Sequence, residues 1–462
     1  MKRVWLFLIL LVVAGCTPRA PLTVTATDTL AASAGATAVI PSATPSAEAT
    51  TEPTTLITTP EPFPPSAATA EPDTLARHRR IFEQLWSTVS TQYVYPDFNG
   101  VDWGAIHTTY SARIERSPSD EEFWHAMAEM IDRLGDDHSS FMTPDTAREQ
   151  DLQLQGNLSY AGVGIYALAQ VDKLQAVIFL VFPNGPAEAA GLRAHDAILF
   201  INGQPVINPD GTDNLDRLRG LAGTQVDVTV RSPGEAPREV KLTRANVNGT
   251  LDVIGRTLIV ESNAKRIGYM LIPTLWDPSI ESSAHETLVS LMESDPLDGL
   301  IIDMRTNGGG TSTNLLALLG LFTEGQHGEF ISRDEVRPLT VTAKPVGNSQ
   351  TVPLVILVGS ATESYAEVFS GVLVEAGRAR LVGAKTAGNI ETVYGYDFED
   401  GSRAWIARET FVPPSGDNWE NTGLTLNLEI DSAWDEFTEA DDPVIAAAID
   451  LLAPAAGGDP SR

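Results

Sequence analysis

The stretch Val352–Leu373 constrains the fold of this chain more than any other. An unbroken apolar run, Val352–Val358, ends in a small hydroxyl-rich turn. Val368, Phe369, Val372 and Leu373 then recur at helical spacing, and Gly377 is the expected stop. A strand, a tight turn and a helix in that order lift one side chain onto a helix N-terminus, where backbone N–H groups lack intrahelical partners. Ser360, Thr362 and Ser364 all sit in the turn. Each is a candidate N-cap, and Ser364 is also a candidate nucleophile.

A chain of 462 residues has room for two or three domains, and with 43% hydrophobic and 20% charged residues it has enough apolar material for their cores. The net charge of −30 argues against nucleic acid and anionic membrane surfaces as partners. Lys2 and Arg3 precede an apolar run, Val4–Val13, too short to span a bilayer but suited to a signal h-region. It ends Val13-Ala14-Gly15-Cys16, which resembles a bacterial lipobox, and Cys16 is the only cysteine. The expected mature protein is therefore lipid-anchored through Cys16 to a bacterial membrane, outside the cytoplasm, with no disulfide and no cysteine nucleophile. Residues 17–75, rich in Thr, Pro, Ala and Ser, read as an extended tether.

The remainder reads as α/β and multidomain. Residues 76–155 form a small helical domain, with an apolar stripe through Ile81, Phe82, Leu85, Trp86 and Val89. A second helix starts at Ser119, carries Phe123, Met127, Met130, Ile131 and Leu134, and stops at Gly135, just before Asp136-Asp137-His138-Ser139. Residues 156–247 turn strand-like and resemble a PDZ domain. In that resemblance Gly162-Val163-Gly164-Ile165 is the loop whose N–H groups hold a peptide carboxylate. From 248 to 457 strands and helices alternate around a mostly parallel sheet. Asp298–Arg305 is a buried strand, and Asp400-Gly401 is a type I′ hairpin turn.

Gly308-Gly309-Gly310 follows the buried strand. It is either a flexible loop or a source of N–H donors for an oxyanion, and no phosphate-loop spacing is present. Taken together, Leu134–Ser139, the PDZ-like segment, Asp303–Gly310, Thr362–Glu367 and Gly383–Gly388 occur in the order found in the C-terminal processing (tail-specific) serine peptidases. That resemblance implies a ClpP/crotonase-like core, and Glu367 and Gly388 align Ser364 with the nucleophile. The lysine of the Ser/Lys-dyad members falls on Asn389, and Lys385 matches a lysine without a catalytic role. Thr362-Glu363-Ser364-Tyr365-Ala366-Glu367 and Gly383–Gly388 are closer to the tricorn-like branch, whose triad falls here on Ser364, His138 and Glu420. That branch also places the position after the nucleophile, here Tyr365, at the primary specificity pocket.

Imidazole is the side chain best poised to take a serine proton, and a carboxylate behind it stabilises the imidazolium. The implied oxyanion donors are the N–H groups of Tyr365 and of Gly309 (or Gly310). The implied enzyme acylates Ser364 with unfolded or C-terminally exposed polypeptides and then hydrolyses the ester, with no metal and no cofactor. Two departures favour another class, a catalytically inactive PDZ scaffold that binds peptides. Asn389 stands for lysine, and Gly423-Leu424-Thr425-Leu426-Asn427 stands where the family has Gly-Ile-x-Pro-Asp. Asp303 and Arg305 read as a structural ion pair.

Overall fold

The structure is a computed structural model that describes residues 71–454, apart from 118, 156–158, 261–263, 294 and 431. Cys16, the signal-like run and residues 17–70 of the expected tether lie outside the described residues.

Helix α1 (Pro72–Gln92) buries Ile81, Phe82, Leu85 and Val89 of the stripe read from the sequence and leaves Trp86 half-buried. Helix α2 (Trp103–Ile114) has a weak stripe, burying Trp103, Tyr110 and Ile114, and the sequence pattern misses it. Asp102 starts it by accepting the Ala105 N–H. Helix α3 (Asp120–Asp132) is capped by Ser119, whose hydroxyl accepts the Glu122 N–H at 3.3 Å. Gly135, at φ +72°, then turns the chain into β1 (Ser140–Met142) and α4 (Pro144–Leu154). These helices do not enclose a core of their own, because Phe82, Leu85, Phe123 and Met127 pack with Val393, Trp405 and Ile406 from far down the chain. The loop carrying His138 is tied to the same place, where the Ala407 N–H donates to Ser139 Oγ at 3.1 Å.

The next segment closes on its own apolar core, with Val163, Ile178, Leu192, Ile198 and Val228 among the buried residues. Its elements are β2 (Ser159–Gly162), β3 (Ile165–Gln170), β4 (Gln175–Val181), α5 (Pro186–Ala189), β5 (Ala197–Ile201), β6 (Gln204–Pro205), β7 (Gln225–Arg231), β8 (Arg238–Thr243) and β9 (Ala245–Asn248). The sheet runs β3-β4-β5-β7-β8, while β2 pairs with β9.

In the last segment β10 (Ile254–Val260) lies antiparallel to β11 (Lys265–Leu271). Parallel strands β12 (Gly299–Asp303), β15 (Leu354–Val358), β16 (Ala379–Gly383) and β19 (Leu428–Glu429) continue the sheet. Helices α6 (Ile280–Met292), α7 (Ser312–Phe322) and α8 (Tyr365–Glu375) cover one face, and α9 (Pro443–Leu452) covers the other. Strand β15 shows why its apolar run has no break. Leu354, Ile356 and Val358 face the three helices while Val355 and Leu357 face α9, so both sides of the pleat are buried.

A second sheet, β1-β18-β13-β14 with β17 on β18, uses β13 (Gly325–Ile331), β14 (Val336–Val341), β17 (Thr392–Asp397) and β18 (Arg403–Val412). The β17–β18 hairpin is where the sequence places it, but its turn is not type I′. Gly401 has φ +85° and Asp400 does not share a positive φ. The Gly401 N–H donates to Phe398 O and the Phe398 N–H to Ser402 O, the longer loop that one left-handed glycine closes.

Gly383 ends β16 at φ +135°, and a Cβ there would lie 2.0 Å from the Val358 carbonyl oxygen. Gly383→Ala is expected to cost about 3 kcal/mol or more, combining backbone strain with a clash that no rotamer relieves. A urea-unfolding midpoint measures it.

Candidate active site

Strand β15 delivers the chain into Gly359–Ser364, and the hydroxyl groups of this turn have distinct jobs. Thr362 Oγ1 donates to Met304 O at 2.9 Å and accepts the Gly359 N–H at 3.0 Å, locking the turn to the end of β12. Ser364 occupies the N-cap position of α8, yet its side chain makes no capping bond. Its backbone sits at φ +58°, ψ −131°, a conformation an L-residue rarely adopts. A serine held there without capping leaves its hydroxyl available to other chemistry. The strain, typically about 1–3 kcal/mol, is the kind that surrounding structure must impose.

The strap Gly388–Glu391 imposes it. The Ser364 N–H donates to Asn389 O at 2.9 Å. Three carboxyl groups grip the strap, and a fourth, its own Glu391, ties it to Tyr95. Glu367 accepts the N–H groups of Gly388 and Asn389, both at 2.9 Å, and Glu420 Oε2 accepts the Ile390 N–H at 2.8 Å. Glu363 Oε1 accepts from Asn389 Nδ2 at 2.7 Å, and the Glu391 carboxyl accepts the Tyr95 hydroxyl at 2.7 Å. Asn389, which the resemblance marks as a lost lysine, is thus the centre of the hydrogen-bond network beneath the nucleophile.

His138 arrives from the opposite direction, on the loop after α3. Asp136 Oδ1 accepts the N–H groups of His138 and Ser139, at 3.0 and 2.5 Å, which fixes that loop. The imidazole is 8% exposed. Burial pushes its pKa down, opposed by the charge of Asp136 and by the backbone of Glu391 and Asn389 near the ring. A histidine kept neutral in this way is ready to act as a base. The carboxyl group beside it is Glu363, with Oε1 4.0 Å from His138 Nε2.

Burial dominates the carboxyl groups as well. It pushes Glu363 up to about 7, with Asn389 opposing and the charge of Glu367 adding. It pushes Glu420 up to about 7, the Ile390 N–H opposing. Glu391 is held well above the usual carboxylate range by burial and then by the charge of Glu420, and its Oε2 is buried with no partner.

His138, Glu363, Ser364 and Glu391 line one cavity of about 1650 Å³. Its other wall belongs to the domain built from β2–β9 and includes Tyr160, Val163, Ile165 and Tyr166. Val163 and Ile165 of the expected carboxylate loop Gly162–Ile165 therefore open into the same space as Ser364. Gly164 takes φ +82° and lies so close to Gly185 that a Cβ would sit 3.4 Å from its Cα. Among the described residues, no group of three or more His, Asp or Glu side chains has a metal-binding arrangement.

The glycine loop corrects one expectation. Gly309 lies against the nucleophile, since a Cβ on it would be 2.7 Å from Ser364 Cβ and 3.1 Å from Oγ. Its N–H, however, is given to Asn307 Oδ1 at 2.9 Å. Gly308 and Gly310 face the cavity instead, and Gly310 carries the next N–H along the chain. Tyr365 begins α8, so its N–H has no intrahelical acceptor. Tyr365 lines the cavity, and its ring also packs into the core, with the hydroxyl 3.0 Å from Thr392 Oγ1 and the ring edge-on to Phe330. Lys385 is exposed on the cavity rim. Asp303 and Arg305 form the expected ion pair, which Asp442 completes.

Sequence reasoning missed Glu363, Glu391 and Tyr95. Glu363 had a signal, an acidic residue immediately before the nucleophile paired with the loss of lysine at 389. Glu391 and Tyr95 had none.

Comparison with known proteins agrees with this architecture. Residues 266–430 match peptidase family S41, residues 75–132 the tricorn protease C1 domain and residues 151–231 the PDZ domain. The chain is 31% identical over 388 residues to a carboxyl-terminal-processing protease of Picosynechococcus sp., covering 77% of this chain and 88% of that protein. It is 26% identical over 381 residues to the chloroplastic C-terminal processing peptidase of Tetradesmus obliquus, covering 79% and 80%. Among solved structures, a photosystem II D1 C-terminal processing protease superposes with a TM-score of 0.57 at 26% identity, covering 77% of this chain and 93% of that one. With a strained serine on a strand–turn–helix, a PDZ domain walling its cavity and relatives of this extent, the chain belongs to the C-terminal processing serine peptidases of family S41.

Proposed function

We propose that this protein is an extracytoplasmic, lipid-anchored endopeptidase that admits unfolded or C-terminally exposed polypeptides and cleaves them through an acyl-enzyme on Ser364. The observation that carries the reading is the uncapped, strained Ser364, its N–H fastened to Asn389 O, in the same cavity as a buried His138. His138 takes the Ser364 proton as the hydroxyl attacks the scissile carbonyl, then gives it to the leaving amine. The developing oxyanion is met by the Tyr365 N–H and by the glycine loop, where Gly310 has the N–H that Gly309 has already committed. Glu420 acts at one remove. By holding the Ile390 N–H it fixes the stretch of backbone whose Asn389 and Glu391 carbonyls flank His138.

Polypeptide ends fit the cavity because one wall is a PDZ sheet edge beginning at Ile165, on which an extended peptide can add as a strand. The lipid anchor rests on Cys16 alone. Incubation of the full-length protein with a reduced, unfolded polypeptide, followed by mass spectrometry, tests the reading. Expected are cleavage products and, on acid quench, a peptide-sized mass increase on the fragment containing Ser364. Intact substrate under all conditions would overturn it. Metabolic labelling with a clickable fatty acid is expected to mark the wild type and not Cys16→Ser.

A further inference from the structure

Glu363 directly precedes the nucleophile, and Asn389 stands where the dyad members of the family carry the lysine. They are joined in the structure by the 2.7 Å bond from Asn389 Nδ2 to Glu363 Oε1. The same oxygen is 4.0 Å from His138 Nε2, about 1 Å beyond hydrogen-bonding distance, a gap of the size that resting enzymes close when substrate expels water. Glu363 lines the cavity directly before the nucleophile, and its side chain is 13% exposed. The backbone of the strap is already held by Glu367 and Glu420, so Glu363 adds only the bond to the Asn389 side chain.

We propose that Glu363 is a positioning residue for the peptidase reaction, held by Asn389 so that its carboxylate stands beside the imidazolium formed when His138 takes the Ser364 proton. This inference rests on the reading of Ser364 and His138 given above. The Glu363–Asn389 pair then does by charge placement what the lysine does by proton transfer in the dyad members. No covalent change occurs at Glu363: the proton passes from Ser364 Oγ to the His138 ring and onward to the leaving amine.

The groups facing Glu363 are His138 and Asp137 from the loop after α3, Glu367 one turn into α8, Asn389 on the strap, Glu420 beyond it and Tyr166 across the cavity. Tyr166 feels the arrangement, its hydroxyl pushed up to about 12 by burial and by the Glu363 charge. Because burial holds Glu363 at about 7, it is mostly ionised at pH 8 and mostly protonated at pH 6. The protonated form cannot stabilise an imidazolium, so the contribution appears as pH rises through 7.

The test is the rate at which a fluorophosphonate labels Ser364 in the full-length wild type and in Glu363→Gln, at pH 6 and pH 8. Glutamine keeps the size and can keep the Asn389 contact. Taking the ratio of the two proteins removes the pH dependence they share and leaves the part that the Glu363 carboxyl contributes, directly or through its charge on His138 and Glu420. The expected ratio is about tenfold in favour of wild type at pH 8, shrinking to about twofold at pH 6. Asn389→Ala keeps the main-chain bonds but removes the donor that holds Glu363 down, so its acid limb is expected to move to higher pH. A ratio near one at pH 8, or the same ratio at both pH values, would overturn the role of Glu363 while leaving Ser364 as the nucleophile. Absence of labelling in the wild type would remove the Ser364 reading and this one with it.

Discussion

Ser364→Ala will lower peptide hydrolysis by about 10⁴-fold or more, and the protein will fold as well as the wild type. The loss is large because removing the nucleophile leaves only binding and oxyanion stabilisation to accelerate the reaction. Stability is spared because the Ser364 hydroxyl makes no capping bond, and the bond that matters to the turn, N–H to Asn389 O, belongs to the backbone. Ser364→Gly is expected to be equally inactive and about 1 kcal/mol more stable. Glycine relieves the positive φ, and the relief exceeds what it loses in unfolded-chain entropy. A gain in melting temperature for glycine over alanine, with both inactive, would show that the protein sustains strain at this position for the sake of the reaction.

The second large effect concerns Arg305. Its guanidinium reaches Asp303 Oδ2 at 2.6 Å and Asp442 Oδ2 at 2.7 Å, and it lies 4.7 Å from the centre of the Trp434 ring. Asp303 is fully buried and Asp442 is 4% exposed. The two carboxylates hold the Arg305 pKa above its ordinary value even though burial opposes them. Arg305→Met deletes the cation and leaves two buried carboxyl groups facing an apolar side chain. The expected cost is about 3–5 kcal/mol in urea unfolding, far above what loss of an exposed pair such as Arg79–Glu115 would bring. Arg305→Lys should recover little, because one ammonium cannot reproduce the fork that serves Asp303 through both Nε and Nη2. Activity should fall as well. Arg305 opens the loop that ends at Gly309, against Ser364, and its ring contact reaches Trp434, which stacks on His195 of the PDZ domain at 4.4 Å. Loss of stability below about 1 kcal/mol would contradict this account of the ion pair.

What the sequence made legible followed from local rules. Strand β15 has an apolar run that only a doubly covered strand can bury. Helices α1 and α3 show stripes with a cap or a glycine stop, and the PDZ segment has its glycines in order. Helix α2 escaped because three buried residues make too thin a stripe. The shared core of the N-terminal helices with Trp405 and Ile406 escaped because no local pattern encodes a contact made across some 300 residues of chain. The hairpin turn was misassigned because Asp-Gly is compatible with more than one loop length, and hydrogen bonds to residues outside the dipeptide decide between them.

The site divided along the same line. Alignment of motifs singled out Ser364, His138 and Glu420, but neither the N–H of Gly309 nor the side chain of Asn389 could be followed from sequence. The direction of an amide and the partner of a carboxamide depend on tertiary packing. Asn389 is the instructive case, a residue read as a missing base that the fold uses to hold Ser364 through its carbonyl and Glu363 through its amide.

The central claim is that His138 activates Ser364. The most direct measurement is fluorophosphonate labelling of the full-length protein at pH 8, with the adduct mapped by mass spectrometry in wild type, His138→Ala and Lys385→Ala. The account predicts an adduct on Ser364 in the wild type and in Lys385→Ala, and a rate reduced about 10³-fold or more in His138→Ala. An adduct that forms at the wild-type rate in His138→Ala, or that vanishes in Lys385→Ala, would contradict it.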